Sequence, residues 1–249
     1  FTFYSSNLIN NIYTFKSEKI FYSGEDLMFD KNLLKGKRIL VTGGGSGLGK
    51  EMSRHFLTYG AEVIICGRRD EVLQKTATEL ADETKGNISA HSLDIRDSLA
   101  IEETINNIFD EGPLDGLVNN AAGNFISRTN DLSPNGFNAI ASIVFHGTFN
   151  MTNTVGKKWI ELNKPGTILS ITTTWVWTGS PFVVPSAMSK SGINAMTKSL
   201  AVEWGPHNIR LNCIAPGPFP TEGAWSRLSP DTEATGGSMD QSSMSSNPM

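Results

Sequence analysis

Residues 38–50, "RILVTGGGSGLGK", set the reading of the whole chain. Ile39, Leu40 and Val41 form an apolar, strand-like run that ends at Thr42. Gly43, Gly47 and Gly49 follow in a Gly-x-x-x-Gly-x-Gly turn, and a helical pattern begins inside it. Glycines so placed let the backbone turn sharply and come close to a pyrophosphate, whose charge is met by helix N-terminal amides. A glycine trio can also be a purely structural turn. Here it lies at a strand-to-helix junction, with a second strand about twenty residues further on, and that context favours a dinucleotide site.

Working outward, the chain repeats the same alternation. Strand-like runs occupy 38–43, 61–67, 88–95, 114–123, 166–172 and 209–217. Several are apolar on both faces, as strands covered on two sides should be. Helical patterns lie between them, near 47–59, 70–85, 98–110, 134–163 and 186–204. The order implies an α/β fold: a single Rossmann-type, doubly wound parallel sheet with right-handed crossovers. The stretch 229–249 is polar and rich in glycine and serine and carries no strand or helix signal. Residues 1–27 read as a non-native or loosely ordered extension, or as an arm that packs on the domain or a neighbour. The domain then runs from Met28 to Met249.

Bulk properties exclude several classes. The 249 residues are 39% hydrophobic with a net charge of −4, enough for one full core and unlike a nucleic-acid surface. No apolar run reaches membrane-spanning length, and no basic leader precedes an apolar stretch. Cys66 and Cys213 each sit in a strand-like run, which reads as two buried free thiols in a reducing, cytoplasmic setting. The four histidines are scattered and share no ligand spacing with the cysteines, so no metal site is expected.

The end of the second strand selects the dinucleotide. An acid there would bind a ribose hydroxyl; this chain has Gly67, Arg68 and Arg69. Guanidinium groups suit a 2′-phosphate, and Ser46 could add a hydroxyl, so NADP(H) is the expected cofactor. The alternative is an arginine that covers the adenine or meets solvent.

Taken in order, Thr42–Gly49, Asp94 in "SLDIRD", "NNAAG" (119–123), Lys190 and "PGPFPT" (216–221) resemble the short-chain dehydrogenase/reductases. Within that family, "NNAAGNFIS" (119–127), "SITT" (170–173), "PFVVPSAMSKSG" (181–192) and "PGPFPTEGAWSRL" (216–228) are most similar to the 2,4-dienoyl-CoA reductases. The resemblance implies an NADPH-dependent reductase of an unsaturated acyl-CoA, acting in fatty-acid β-oxidation and, if the chain is complete, assembling as a homo-oligomer, typically a tetramer. Because relatives continue past the "PG" motif, it also implies that this sequence is cut short with its last strand missing. It implies that Gly43, Ser46, Gly47, Leu48 and Gly49 hold the pyrophosphate side, Arg68 the 2′-phosphate and Asp94 the adenine. Asn120, Ala121 and Lys190 would line the nicotinamide ribose, and Pro216, Gly217 and Thr221 the nicotinamide.

The wider family places a tyrosine four residues before the lysine; Ser186 stands there, a change the dienoyl-CoA reductases share. Most relatives also carry a helix asparagine where Val144 stands, and the subgroup again lacks it. Some members supply another tyrosine, two residues after "SITT", where this chain has Trp175. The four tyrosines are Tyr4, Tyr13, Tyr22 and Tyr59, all in the first quarter of the chain.

The implied reaction suits that loss. Reducing a dienoyl thioester requires hydrogen-bond donors at the oxygen where charge develops, and water can later protonate carbon. Ketone reduction needs a positioned acid. By the resemblance, Asn124 is the donor to the thioester oxygen. Trp175 either donates through its indole N–H or only fills the pocket, and Trp175 and Trp177 together would flank a flat site. Ser186 either touches substrate or caps the helix after Pro185. Thr173 takes the usual active-site serine position, with Thr172 and Thr174 leaving the register open by one. Alternatives are another short-chain carbonyl or enone reductase, or an NADP-binding paralogue weakened in catalysis.

Overall fold

The computed structural model describes residues 29–217. The expectations for residues 1–27, for Thr221 and for a missing last strand lie outside them. Six strands form one sheet: β1 (Arg38–Thr42), β2 (Glu62–Gly67), β3 (Ile88–Ser92), β4 (Gly116–Asn119), β5 (Gly166–Ile171) and β6 (Ile209–Ile214). Their order is β3-β2-β1-β4-β5-β6, with every pairing parallel. The chain changes direction across the sheet between β1 and β4, and in open sheets of this kind ligands bind at the carboxyl ends of the strands beside that point.

The helices are α1 (Gly47–Thr58), α2 (Asp70–Thr84), α3 (Ser98–Glu111), α4 (Pro134–Ala141), α5 (Thr148–Glu161), α6 (Trp175–Thr178) and α7 (Val184–Glu203). A wider π-helical stretch, Ser142–Gly147, joins α4 to α5 and makes one long helix of the expected 134–163 segment. Val144, fully buried, sits in that stretch.

Strand side chains alternate, so each inner strand feeds two cores. Ile39 and Val41 of β1, with Val63 and Ile65 of β2, pack on Leu57 of α1 and on Leu73 and Leu80 of α2. The intervening Leu40, Ile64 and Cys66 pack on the other face against Ile101 and Ile105 of α3 and Met151 and Val155 of α5. This double cover is why the runs read as apolar throughout. Trp159 is fully buried, and its indole N–H donates to the Leu114 carbonyl at 2.6 Å.

The expected strand 114–123 is shorter, because after Asn119 the chain leaves the sheet and turns across its end. The short helix α6 was not expected: it is a single turn cut off by Gly179 at φ +66. Cys66 is fully buried, and burial pushes its thiol up to about 12. Cys213 is only half-buried, a departure from the expected buried pair. It lies on β6, which pairs only with β5 among the described residues.

Candidate functional site

The glycine turn closes on the loop after β4. Gly43 adopts φ +67, and its amide donates to the Cys66 carbonyl at 2.7 Å. Gly49 packs so tightly that a Cβ would stand 2.3 Å from the Gly43 carbonyl oxygen and 2.6 Å from Asn120 Nδ2. The turn therefore tolerates no side chain at Gly49, and the start of α1 is drawn against the end of β1. Ser46 is the N-cap of α1, yet its hydroxyl makes no capping bond and is exposed. The first turn of α1 carries no acid, so nothing there repels an anion.

Two residues brace this turn from below. Thr42, buried at the end of β1, accepts hydrogen bonds from the amides of Asn120 and Ala121, both at 3.0 Å, and donates to the Val118 carbonyl at 3.3 Å. Asn120 Nδ2 donates to the carbonyls of Thr42 at 3.0 Å and Gly43 at 3.3 Å. With that amine committed, the carboxamide oxygen is what Asn120 has left for a ribose hydroxyl. The bracing role of Thr42 was missed in the sequence, because it depends on a partner loop 78 residues away.

At the neighbouring strand ends, Arg68 and Arg69 are exposed after β2, with no carboxylate at that position. Asp94 follows β3. Its carboxyl lies below the ordinary carboxylate range, chiefly through the hydrogen bond from the Arg96 side chain; the Arg68 charge adds a smaller share. Arg96 Nε reaches both Asp94 oxygens at 2.9 Å, a partner the sequence reading did not name. Two exposed guanidiniums, an uncapped helix start and glycines against the strand ends form a donor set that fits a phosphorylated dinucleotide.

The second half of the site comes from α7 and from the loops after β4 and β5. Lys190 is 7% exposed, and its ammonium donates to the Ile171 carbonyl. Burial alone lowers its pKa to about 8. An ammonium has three protons, so two remain for other acceptors. Ser186 is buried one turn earlier on the same face. It is the third residue of α7, whose N-cap is Val183, so the capping reading falls away. Of the three threonines, Thr172 is the one taken up by the sheet. Thr172 is tied to the sheet, its amide and hydroxyl both donating to the Ile214 carbonyl at 2.8 Å and 3.0 Å. Thr173 is half-buried, and its hydroxyl has no partner among the described residues.

Trp175 is half-buried at the start of α6, whereas Trp177 is 65% exposed. The two tryptophans therefore do not enclose a flat slot, because α6 turns the second ring toward solvent. Asn124 lies in the loop after β4, and its carboxamide oxygen is buried without a hydrogen-bond partner among the described residues. Pro216 and Gly217 follow β6 at the same end of the sheet.

Residues 37–231 match the pattern of the short chain dehydrogenases. The chain belongs to the short-chain dehydrogenase family. It is 47% identical over 198 residues to a Caenorhabditis elegans protein named probable 2,4-dienoyl-CoA reductase 3, covering 78% of this chain. The chain spans 64% of that relative's length. A short chain dehydrogenase from Bacillus anthracis superposes with a TM-score of 0.72 at 44% identity, over 74% of this chain and 75% of that one. An actinorhodin polyketide ketoreductase variant solved with NADPH superposes with a TM-score of 0.73 at 30% identity, over 76% and 73%. No helix among the described residues is long and apolar enough to cross a membrane, and none of their side chains form a group of three or more metal ligands.

Proposed function

We propose that the protein is an NADPH-dependent reductase of 2,4-dienoyl-CoA thioesters. One observation carries the reading most directly. Buried Ser186, not a tyrosine, stands one turn before buried Lys190, and Asn124 in the loop after β4 has a carboxamide oxygen without a partner among the described residues, so its amine is the end that can turn to a substrate oxygen. That constellation lacks a phenolic acid for ketone reduction but keeps neutral donors for an anionic oxygen.

NADPH, when bound, supplies a hydride to the far end of the conjugated system. The electron pair then moves through the conjugated bonds to the thioester oxygen, giving a dienolate. Asn124 donates to that oxygen without titrating. Lys190 holds ribose hydroxyls and places positive charge near the developing anion. Ser186 and Thr173 contact the acyl group with their free hydroxyls. A proton from water adds to carbon and leaves an enoyl thioester. Arg68 selects the 2′-phosphate, Asp94 meets the adenine, and Pro216, Gly217 and Thr221 pack on the nicotinamide. In this reading the enzyme serves fatty-acid β-oxidation as a cytoplasmic homo-oligomer, and cell fractionation is the check on location, since a similar Arabidopsis thaliana protein is named peroxisomal.

The test is NADPH oxidation at 340 nm by the full chain with 2,4-hexadienoyl-CoA. Oxidation that depends on the thioester and exceeds the rate with NADH supports the reading. Tight NADPH binding with no turnover on dienoyl, enoyl or ketone substrates supports a second reading, a cofactor-binding relative without catalysis. Trp175 favours that second reading, because an indole N–H cannot release a proton.

A further inference from the structure

Two loops face each other beyond the carboxyl ends of β4 and β5, residues 120–133 and 172–183. Among the described residues one backbone hydrogen bond joins them: the Ser127 amide donates to the Phe182 carbonyl at 3.0 Å. Phe182 holds φ +65. Of the other non-glycine residues at positive φ, Lys85 and Asn208 are helix C-caps and Asn163 directly follows one. Phe182 ends none, and an aromatic side chain makes that backbone costly. Such an outlier persists only where its surroundings over-determine it.

The surroundings here are specific. Phe125, directly after Asn124, packs against the buried cluster of Ile140, Val144 and Ile193. Ser127, two residues further, is held by Phe182. Asn124 therefore precedes two anchors, one through a side chain and one through the backbone. On its other side, the Phe182 turn runs within two residues into α7, which carries Ser186 and Lys190.

We propose that Phe182 is a positioning residue. Its left-handed backbone aims its carbonyl at the Ser127 amide and so fixes how far Asn124 stands from Ser186 and Lys190 across the crevice. The ring is secondary; the backbone direction carries the role. This inference rests on Asn124 being the donor to the thioester oxygen.

Two substitutions separate backbone from ring. Asparagine tolerates the left-handed region, whereas β-branched valine does not. With 2,4-hexadienoyl-CoA, Phe182→Val lowers kcat about tenfold or more, because small misplacements of reacting groups are costly. Phe182→Asn stays within about threefold, and both keep NADPH affinity within about twofold, since neither touches the glycine turn. The reverse order, or equal losses in the two variants, overturns the inference in favour of ring packing. Phe182→Thr, also β-branched, replaces Phe182→Val should that variant not fold. Amide exchange at Ser127 reads the tether without turnover: slow in the parent and in Phe182→Asn, about tenfold faster in Phe182→Val. Unchanged exchange in Phe182→Val overturns the tether. If the parent oxidises no NADPH with the dienoyl thioester, the proposed function falls, and the exchange pattern still decides the tether.

Discussion

The turn after β1 and the loops after β4 and β5 meet at the same crevice but are built differently. The β1 turn is braced at every step. Gly43 hangs on Cys66, Thr42 gathers the amides of Asn120 and Ala121, and Asn120 returns its own amine to the carbonyls of Thr42 and Gly43. The loops after β4 and β5, the substrate side in the proposed function, share one backbone bond among the described residues, at a residue held in a costly conformation. A dinucleotide presents a constant shape, so its site can be made rigid through backbone groups. The acyl chain of the proposed substrate is flexible, and a wall made of side chains on sparsely tied loops can adapt to it.

The largest expected effect sharpens this contrast. Under the proposed function, Asn124→Ala removes the donor to the thioester oxygen and lowers kcat by roughly 10²- to 10³-fold. NADPH affinity, measured by titration calorimetry, stays unchanged, because Asn124 makes no bond to the braced turn. A parallel loss of NADPH affinity would mean that the two halves are not separable.

Gly49→Ala attacks the other half. The added Cβ meets a backbone carbonyl at 2.3 Å, which cannot move aside as a flexible side chain would. Overpacking of this kind costs about 1–3 kcal/mol, and we expect the upper end together with a loss of NADPH affinity. Thermal melts and calorimetry read the two effects.

Thr42→Val keeps the shape but strips the acceptor from two amides. Leaving these part-buried amides unpaired costs about 1 kcal/mol, the low end of the penalty for a lost partner, read as a drop in urea midpoint. The braced half should suffer here more than from any single polar deletion in the substrate-side loops. Equal losses on the two sides would break the comparison.

The smallest expected effect is a pH dependence. Lys190 has its pKa lowered to about 8 by burial, so its charge is lost as pH rises through that value. Dienoyl turnover that needs the ammonium therefore declines above about pH 8, roughly tenfold per unit in kcat/KM. Lys190→Arg, which does not titrate in this range, removes that limb of the profile. The same shift makes stability rise with pH between about 8 and the ordinary lysine range, because there the unfolded chain binds more protons.

Much of the fold was legible in the sequence. All six strands lie within the expected apolar runs, and the five long helical segments match to within a few residues. What the sequence overran was strand length: Asn120–Gly123 read as strand because small residues continue the apolar run, yet the chain turns across the sheet end there, with Asn120 and Ala121 meeting Thr42. In the site, the glycine turn was legible because its chemistry is local. Thr42 and Arg96 were less so, since their roles depend on what faces them.

The sequence by itself determined the α/β alternation, the glycine turn and the tyrosine-free approach to Lys190. Those features are written in residue types a few positions apart, where periodicity and backbone freedom act directly. Tertiary structure alone decided that Thr172 spends its hydroxyl on Ile214 while Thr173 keeps its own, and that Ser186 caps nothing. It also decided that Phe182 reaches back to Ser127. These are pairings between loops that the chain brings together only once the sheet is assembled, and a hydrogen bond depends on final distance and direction, which no local pattern contains.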